Sequence, residues 1–99
     1  MRRGSTPTFV FTLPADASCF TEIEILFMQD TREVLRVSRP SLTLKGKEVS
    51  FVMSEMQSLA FAPSCNAEVQ LRLVTEDGKV LISEIRALPV RKKFPEDAL

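Results

Sequence analysis

The stretch Asn66-Ala67-Glu68-Val69-Gln70-Leu71-Arg72-Leu73-Val74-Thr75 decides the fold class. Ala67, Val69, Leu71 and Leu73 point one way, and Glu68, Gln70 and Arg72 the other. A period of two is the signature of a β-strand with one buried and one solvated face. Asp77-Gly78 follows directly, a strong signal for a two-residue hairpin. Residues 79–90 then form the return strand. Leu81 and Ile85 share one parity there and Leu88 and Val90 the other, so a bulge near Arg86-Ala87 is expected. Pro89 suits an edge position.

The same alternation runs upstream. Residues 8–13 turn Phe9, Phe11 and Leu13 inward, and residues 21–29 turn Ile23, Ile25 and Phe27 inward with Glu22 and Glu24 outward. Asp30-Thr31 is a tight turn into 32–38, where Leu35 and Val37 face in. Arg39-Pro40 breaks that strand, since proline lacks the ladder donor. A short strand at 41–44, a loop Lys45-Gly46-Lys47 and a strand at 48–53 with Val49, Phe51 and Met53 inward complete the set. Ser54 and Gln57 match a helix capping box, which predicts about two turns over 55–61 with Met56, Leu59 and Ala60 on one side.

Seven short strands and one helix, in a chain of 99 residues, predict a single all-β domain. The expected architecture is an antiparallel immunoglobulin-like sandwich, flanked by an N-terminal arm (1–6) and a charged C-terminal tail (91–99). The first, second, fourth and fifth strands are expected in one sheet and the third, sixth and seventh in the other; a small barrel is the runner-up.

Composition narrows function mainly by exclusion. The 13 basic and 13 acidic residues cancel, which argues against a general nucleic-acid binder. The pairs and triplets of basic residues at the ends (Arg2-Arg3, Arg91-Lys92-Lys93) suit solvated termini. There is no His, the usual general base and commonest metal ligand, and no Trp or Tyr, on which sugar-binding surfaces rely. All seven aromatic residues are Phe, the ring suited to a dry core. No apolar run is long enough to span a bilayer as a helix, and no signal-peptide pattern opens the chain. An intracellular protein with reduced thiols is therefore expected.

Candidate sites are few. Asp16, Asp30, Asp77 and Asp97 sit where aspartate forms turns, and Glu22 and Glu24 suit a solvated strand face. Cys19 and Cys65 form no metal motif; in the expected topology they lie at one end of the sandwich, reduced, with Cα atoms too far apart or misdirected for a bridge. The isolated Gly4, Gly46 and Gly78 make no phosphate-binding loop, and Met28, Met53 and Met56 suit core or rim packing. No catalytic residue, cofactor site or metal site is expected. One pattern favours binding: Val10, Leu26, Met28 and Val52 should share one outer sheet face as an apolar patch, opposite a face carrying Arg36, Gln70, Arg72, Glu84 and Arg86. Two readings of the patch stand, a protein interface or a surface covered by the N-terminal arm or by the tail with Phe94.

The opening residues 1–14, together with residues 49–59, 67–73 and 77–85, resemble short, uncharacterised prophage proteins of Gram-positive gut bacteria. More distantly, the pattern is similar to the N-terminal β-sandwich module of phage upper baseplate proteins. The resemblance implies a non-catalytic structural or adaptor protein, tail- or baseplate-associated, whose partners are other virion or tail proteins. It also implies cytoplasmic residence before assembly and residence in the virion afterwards. Homo-oligomerisation fits this picture, and neither nucleic acid nor membrane is an expected partner. The alternatives are a cell-wall glycan-binding module, which a deep pocket lined by Arg36, Arg72 or Arg86 would favour, and a prophage-encoded regulator that binds a host protein.

Overall fold

The computed structural model describes residues 1–63, 65–83 and 85–91. Among them are eight strands: β1 (Thr8–Thr12), β2 (Phe20–Gln29), β3 (Arg32–Ser38), β4 (Thr43–Lys45), β5 (Glu48–Val52), β6 (Ala67–Thr75), β7 (Val80–Ile82) and β8 (Arg86–Leu88). One helix, α1 (Glu55–Leu59), joins β5 to β6. The strands form two antiparallel sheets, β1-β5-β4 and β3-β2-β6-β7, with β8 also paired to β6. The chain is an all-β, immunoglobulin-like sandwich in its layers.

The inward faces are those the alternation assigns. Ile23, Ile25 and Phe27 of β2, Val49 and Phe51 of β5, and Ala67, Val69, Leu71 and Leu73 of β6 are buried. Phe27 is the hub between the layers. Its ring lies 5.1 Å from that of Phe9, 6.2 Å from Phe51 and 5.8 Å from Phe61, with edge-on or tilted geometry that suits the ring quadrupoles.

Strand β2 is where the expected topology fails. It belongs to the second sheet, hydrogen-bonded between β3 and β6, and not beside β1. The reason is local. Asp30 and Thr31 both take positive φ, 49° and 62°, the requirement of a two-residue hairpin turn whose twist matches that of its strands. Such a turn holds β2 and β3 side by side, so they cannot part into different sheets. A β-branched residue at positive φ is strained. We predict that Thr31→Gly raises stability by about 1 kcal/mol, read as a rise of roughly 4–8 °C in Tm by calorimetry.

Two further expectations are corrected. The last expected strand is broken into β7 and β8; the extra residue that reconciles its two parities falls between Ile82 and Arg86, just before Arg86-Ala87. Ser83 anchors the break: its backbone N–H donates to the Leu71 carbonyl at 2.9 Å, and its Oγ accepts from the Leu71 N–H at 2.9 Å. As a result Ile85 is exposed, while Arg86 takes the place opposite the inward-facing Val69 and lays its guanidinium over the Phe11 ring, 5.0 Å from the centroid. Helix α1 has the expected capping box between Ser54 and Gln57 but ends at Leu59, and its buried side is not the expected one. Met56 is exposed and Ser58 is fully buried.

The N-terminal arm accounts for that buried serine. Gly4 N–H donates to Ser58 Oγ at 2.9 Å, and an Arg3 guanidinium N–H donates to the Leu59 carbonyl at 3.1 Å. Arg3 N–H also donates to the Arg91 carbonyl at 3.0 Å. The arm thus seals the end of the sandwich between α1 and residues 89–91. It does not lie over an outer sheet face.

Candidate protein-binding surfaces

The four residues expected to share one patch are divided between two faces. Val10 and Val52 are together on the outer face of the β1-β5-β4 sheet, 52% and 62% exposed. The pairing places Val52 opposite Thr8 and Val10 opposite Ser50, with Thr12 opposite Glu48. The centre of this face is therefore small, β-branched and uncharged. Leu26 and Met28 went with β2 to the outer face of the other sheet, where each is half-buried. Leu26 is flanked in register by Arg36 and Gln70, and Met28 by Glu33 and Glu68. The expected continuous patch is not formed, because it required β2 to lie beside β1.

The outer face around Leu26 is an ionic lattice. Glu24 is the hinge of it: its Oε1 lies 3.0 Å from Arg72 Nη1 and 3.4 Å from Arg36 Nη1. Arg36 also reaches Glu33 at 2.8 Å, and Arg72 approaches Glu22 at 3.7 Å. The hydrogen bond and charge of Glu33, with that of Glu24 beyond it, hold the Arg36 guanidinium protonated above its ordinary range. Two cations are thus committed to neighbouring carboxylates on three adjacent strands. The third arginine considered for a ligand pocket, Arg86, sits on Phe11 and lines an apolar hollow of about 110 Å³ with Phe9, Val10, Val69, Ala87 and Leu88. That is below the usual range for small-molecule sites.

A larger hollow of about 300 Å³ lies at the β2–β3 turn, lined by Met28, Asp30, Thr31, Asn66, Glu68, Gln70 and Ile85. Cys65 Sγ is 3.8 Å from Asp30 Oδ2 beside it. Both cysteines are free, and they stand at opposite ends of the β2–β6 ladder, not at one end as expected. Cys19 precedes Phe20, which pairs with Thr75; Cys65 adjoins the Gln29 end. At ~3.3 Å per residue the ladder separates them by roughly 25 Å.

The remaining candidate groups are structural. Asp16 accepts a hydrogen bond from Ser18 N–H at 3.0 Å, which caps the turn Ala17–Cys19 and holds its carboxyl below the ordinary aspartate range. Among the described residues, no group of three or more Cys, Asp or Glu side chains is placed to hold a metal ion, and no helix is long and apolar enough to cross a membrane. Glu84, Phe94, Asp97, Lys92 and Lys93 lie outside the described residues.

Sequence parity also overlooked one surface. Val80, Leu81, Ile82 and Ile85 are between 42% and 59% exposed. In a strand, neighbouring residues face opposite ways. Three consecutive exposed residues therefore mean that β7 is uncovered on both faces, including the one that should be core.

No protein-family model matches the chain, and no curated protein matches it. Among solved structures it is similar to the V domain of amphioxus IgVJ-C2, at 10% identity over 91% of this chain and 96% of that one, with a TM-score of 0.36.

Proposed function

We propose that this chain is a non-catalytic structural or adaptor module that works through protein–protein interfaces, and that it serves as a tail- or baseplate-associated component of a prophage. It would reside in the bacterial cytoplasm before assembly and in the virion afterwards. The observation that carries the binding role is the uncharged centre of the outer face of the β1-β5-β4 sheet. There Val10 and Val52 are more than half exposed among Thr8, Thr12 and Ser50, while the opposite outer face is closed by ion pairs. Apolar area left on a rigid sheet is the usual material of an interface core. The prophage assignment is supported by the sequence resemblance.

A glycan-binding role has no specific observation in its favour, since Arg36 and Arg72 are paired with Glu24 and the hollow beside Arg86 is small and apolar. The test is quantitative mass spectrometry of purified particles from a lysogen carrying either the native chain or Val10→Glu/Val52→Glu. Both positions are exposed, so the variant should fold normally. The native chain is expected in the particles, with the variant's incorporation reduced at least about tenfold, equivalent to ~1.4 kcal/mol. Absence of the native chain from particles would overturn the virion role, and equal incorporation of the variant would overturn the assignment of this face.

A further inference from the structure

We infer that the gap between the edges of β1 and β8 receives an extended segment of a partner protein, which adds there as a strand with an acidic residue near its N-terminal end. The inference goes beyond the virion role and does not depend on it. It uses two strand edges, not the outer face that carries Val52.

Main-chain bonding defines both edges. Met53 N–H donates to the Pro7 carbonyl at 2.9 Å and Leu13 N–H to the Lys47 carbonyl at 2.6 Å. Positions 7, 9, 11 and 13 therefore bond to β5, and the N–H and C=O of Thr8, Val10 and Thr12 face away from it. On the other wall, Ser83 N–H donates to the Leu71 carbonyl and Thr75 N–H to the Lys79 carbonyl, so the odd-numbered residues of β6 bond on this side. Arg86 and Leu88, opposite Val69 and Ala67, bond to them, and Ala87 between turns its N–H and C=O outward. Among the described residues none of these outward groups has a partner, and no main-chain bond joins β1 to β8. Unpaired groups along an edge are a template for another strand.

The N-terminal arm already uses the same edge further along. Arg91 N–H donates to the Met1 carbonyl at 2.7 Å, and the Arg91 carbonyl accepts from Arg3 N–H at 3.0 Å, a parallel bridge between Arg2 and Arg91. The open stretch at Ala87 is in phase with Arg91 and continues the line of the arm. Strand β8 runs from Arg86, beside Phe11, toward Arg91, beside the arm that leads into β1, so the two open edges are antiparallel. A segment entering in line with the arm is parallel to β8 and antiparallel to β1, and it bonds to both.

The chemistry of the occupant follows from the walls and the floor. An extended polypeptide main chain offers matching donors and acceptors along both of its edges. The apolar hollow of about 110 Å³ between the walls, floored by Phe9, Phe11 and Val69, suits one aliphatic side chain such as valine, with the main chain lying across its mouth. Arg86 is exposed at one end of the hollow, over Phe11, and makes no ion pair among the described residues. It selects a carboxylate, and parallel entry puts the N-terminal end of the incoming segment beside it.

The test titrates the peptide acetyl-Glu-Val-Thr-Val-Thr-amide into the isotope-labelled full chain, to about 5 mM, and reads amide shifts by NMR. Saturable shifts are expected at Val10 and Ala87, with half-saturation below about 1 mM. Ala87→Pro removes an outward N–H and no bond to β6, so the domain should keep its Tm while binding weakens at least about tenfold. Val52→Glu should leave binding unchanged. On the native chain, acetyl-Glu-Val-Pro-Val-Thr-amide, which lacks the central donor, and acetyl-Lys-Val-Thr-Val-Thr-amide, which reverses the charge, should each bind at least about tenfold more weakly. These two peptides test the inference without any variant having to fold. Absence of saturable shifts overturns it, as does equal binding of the proline or the lysine peptide. Binding that survives Ala87→Pro but is lost in Val52→Glu overturns it in favour of the outer face. None of these failures touches the particle experiment, which reads incorporation and not strand addition.

Discussion

Phe27→Ala is expected to destabilise the domain by about 4 kcal/mol, the typical cost of emptying a fully buried phenylalanine site. Phe27 has no exposed surface, and its ring touches those of Phe9, Phe51 and Phe61, which come from β1, β5 and the segment after α1. It is the side chain through which the two sheets and the helix connection share one core. Removing it leaves a cavity whose walls belong to different elements and cannot collapse together, so little of the loss is recovered. A domain of this size holds only about 5–15 kcal/mol in total, so much of the margin disappears. Urea unfolding should show a lower midpoint with an unchanged m-value. Phe27→Leu, which keeps most of the volume, should cost roughly half as much or less. A loss below about 1.5 kcal/mol for the alanine variant would mean that the sheets are held together elsewhere.

The second large effect is polar. Gln29 closes β2 from inside the protein, 4% exposed. Its Nε2 donates to the carbonyls of Ala62 at 3.1 Å and Cys65 at 2.9 Å, and its Oε1 accepts from Ala62 N–H at 2.8 Å. One amide thus satisfies three backbone groups of the connection from α1 to β6. Gln29→Leu has nearly the right shape but leaves those groups without partners, and is expected to cost about 2–4 kcal/mol. Amide exchange at Ala62 should accelerate more than exchange in the β2–β6 ladder. Gln29→Glu adds a pH signature. A carboxylate cannot donate to the two carbonyls, and burial raises its folded-state pKa above the unfolded value. Its stability relative to the native chain should therefore be greatest below the unfolded glutamate pKa and fall as pH rises through the folded one. An opposite slope would exclude the donor role assigned to Nε2.

Gln29 was not among the residues expected inward, although the sequence held a signal for it. The parity that turns Ile23, Ile25 and Phe27 inward extends to Gln29. A buried amide must find partners, so its position could have marked a chain clamp. The partners themselves could not be named, because Ala62 and Cys65 come to it only through the fold. The capping box at Ser54 and Gln57 was fully legible, since it is decided by residues within four positions of one another; the turn at Asp77-Gly78 was legible in place but not in length, for Thr75 pairs with Lys79 across a three-residue loop in which Gly78 alone takes positive φ. The buried side of α1 was not. Ser58 is inside because an arm from more than fifty residues earlier donates to it, and a helix of one turn has too few apolar positions to set its own orientation.

The Asp30-Thr31 turn carried the decisive information about β2, although Thr31 disguised it. Two-residue hairpins favour glycine or asparagine at positive φ, and a β-branched residue there weakens the signal without changing the geometry. Taken at full weight, the turn would have put β2 beside β3 and separated Leu26 and Met28 from Val10 and Val52.

What the sequence determined by itself is where the chain turns and, for every strand but the last, which residues face inward, because alternation and turn chemistry are properties of a few adjacent residues. Which strands become neighbours was decided only by the tertiary structure. A strand of alternating pattern presents the same two backbone edges to any partner, so its pairing is settled by closure of the whole core around Phe27. That closure gave β2 to the sheet of β3 and β6, divided the expected patch, and left the apolar strand β7 beyond the reach of the smaller sheet.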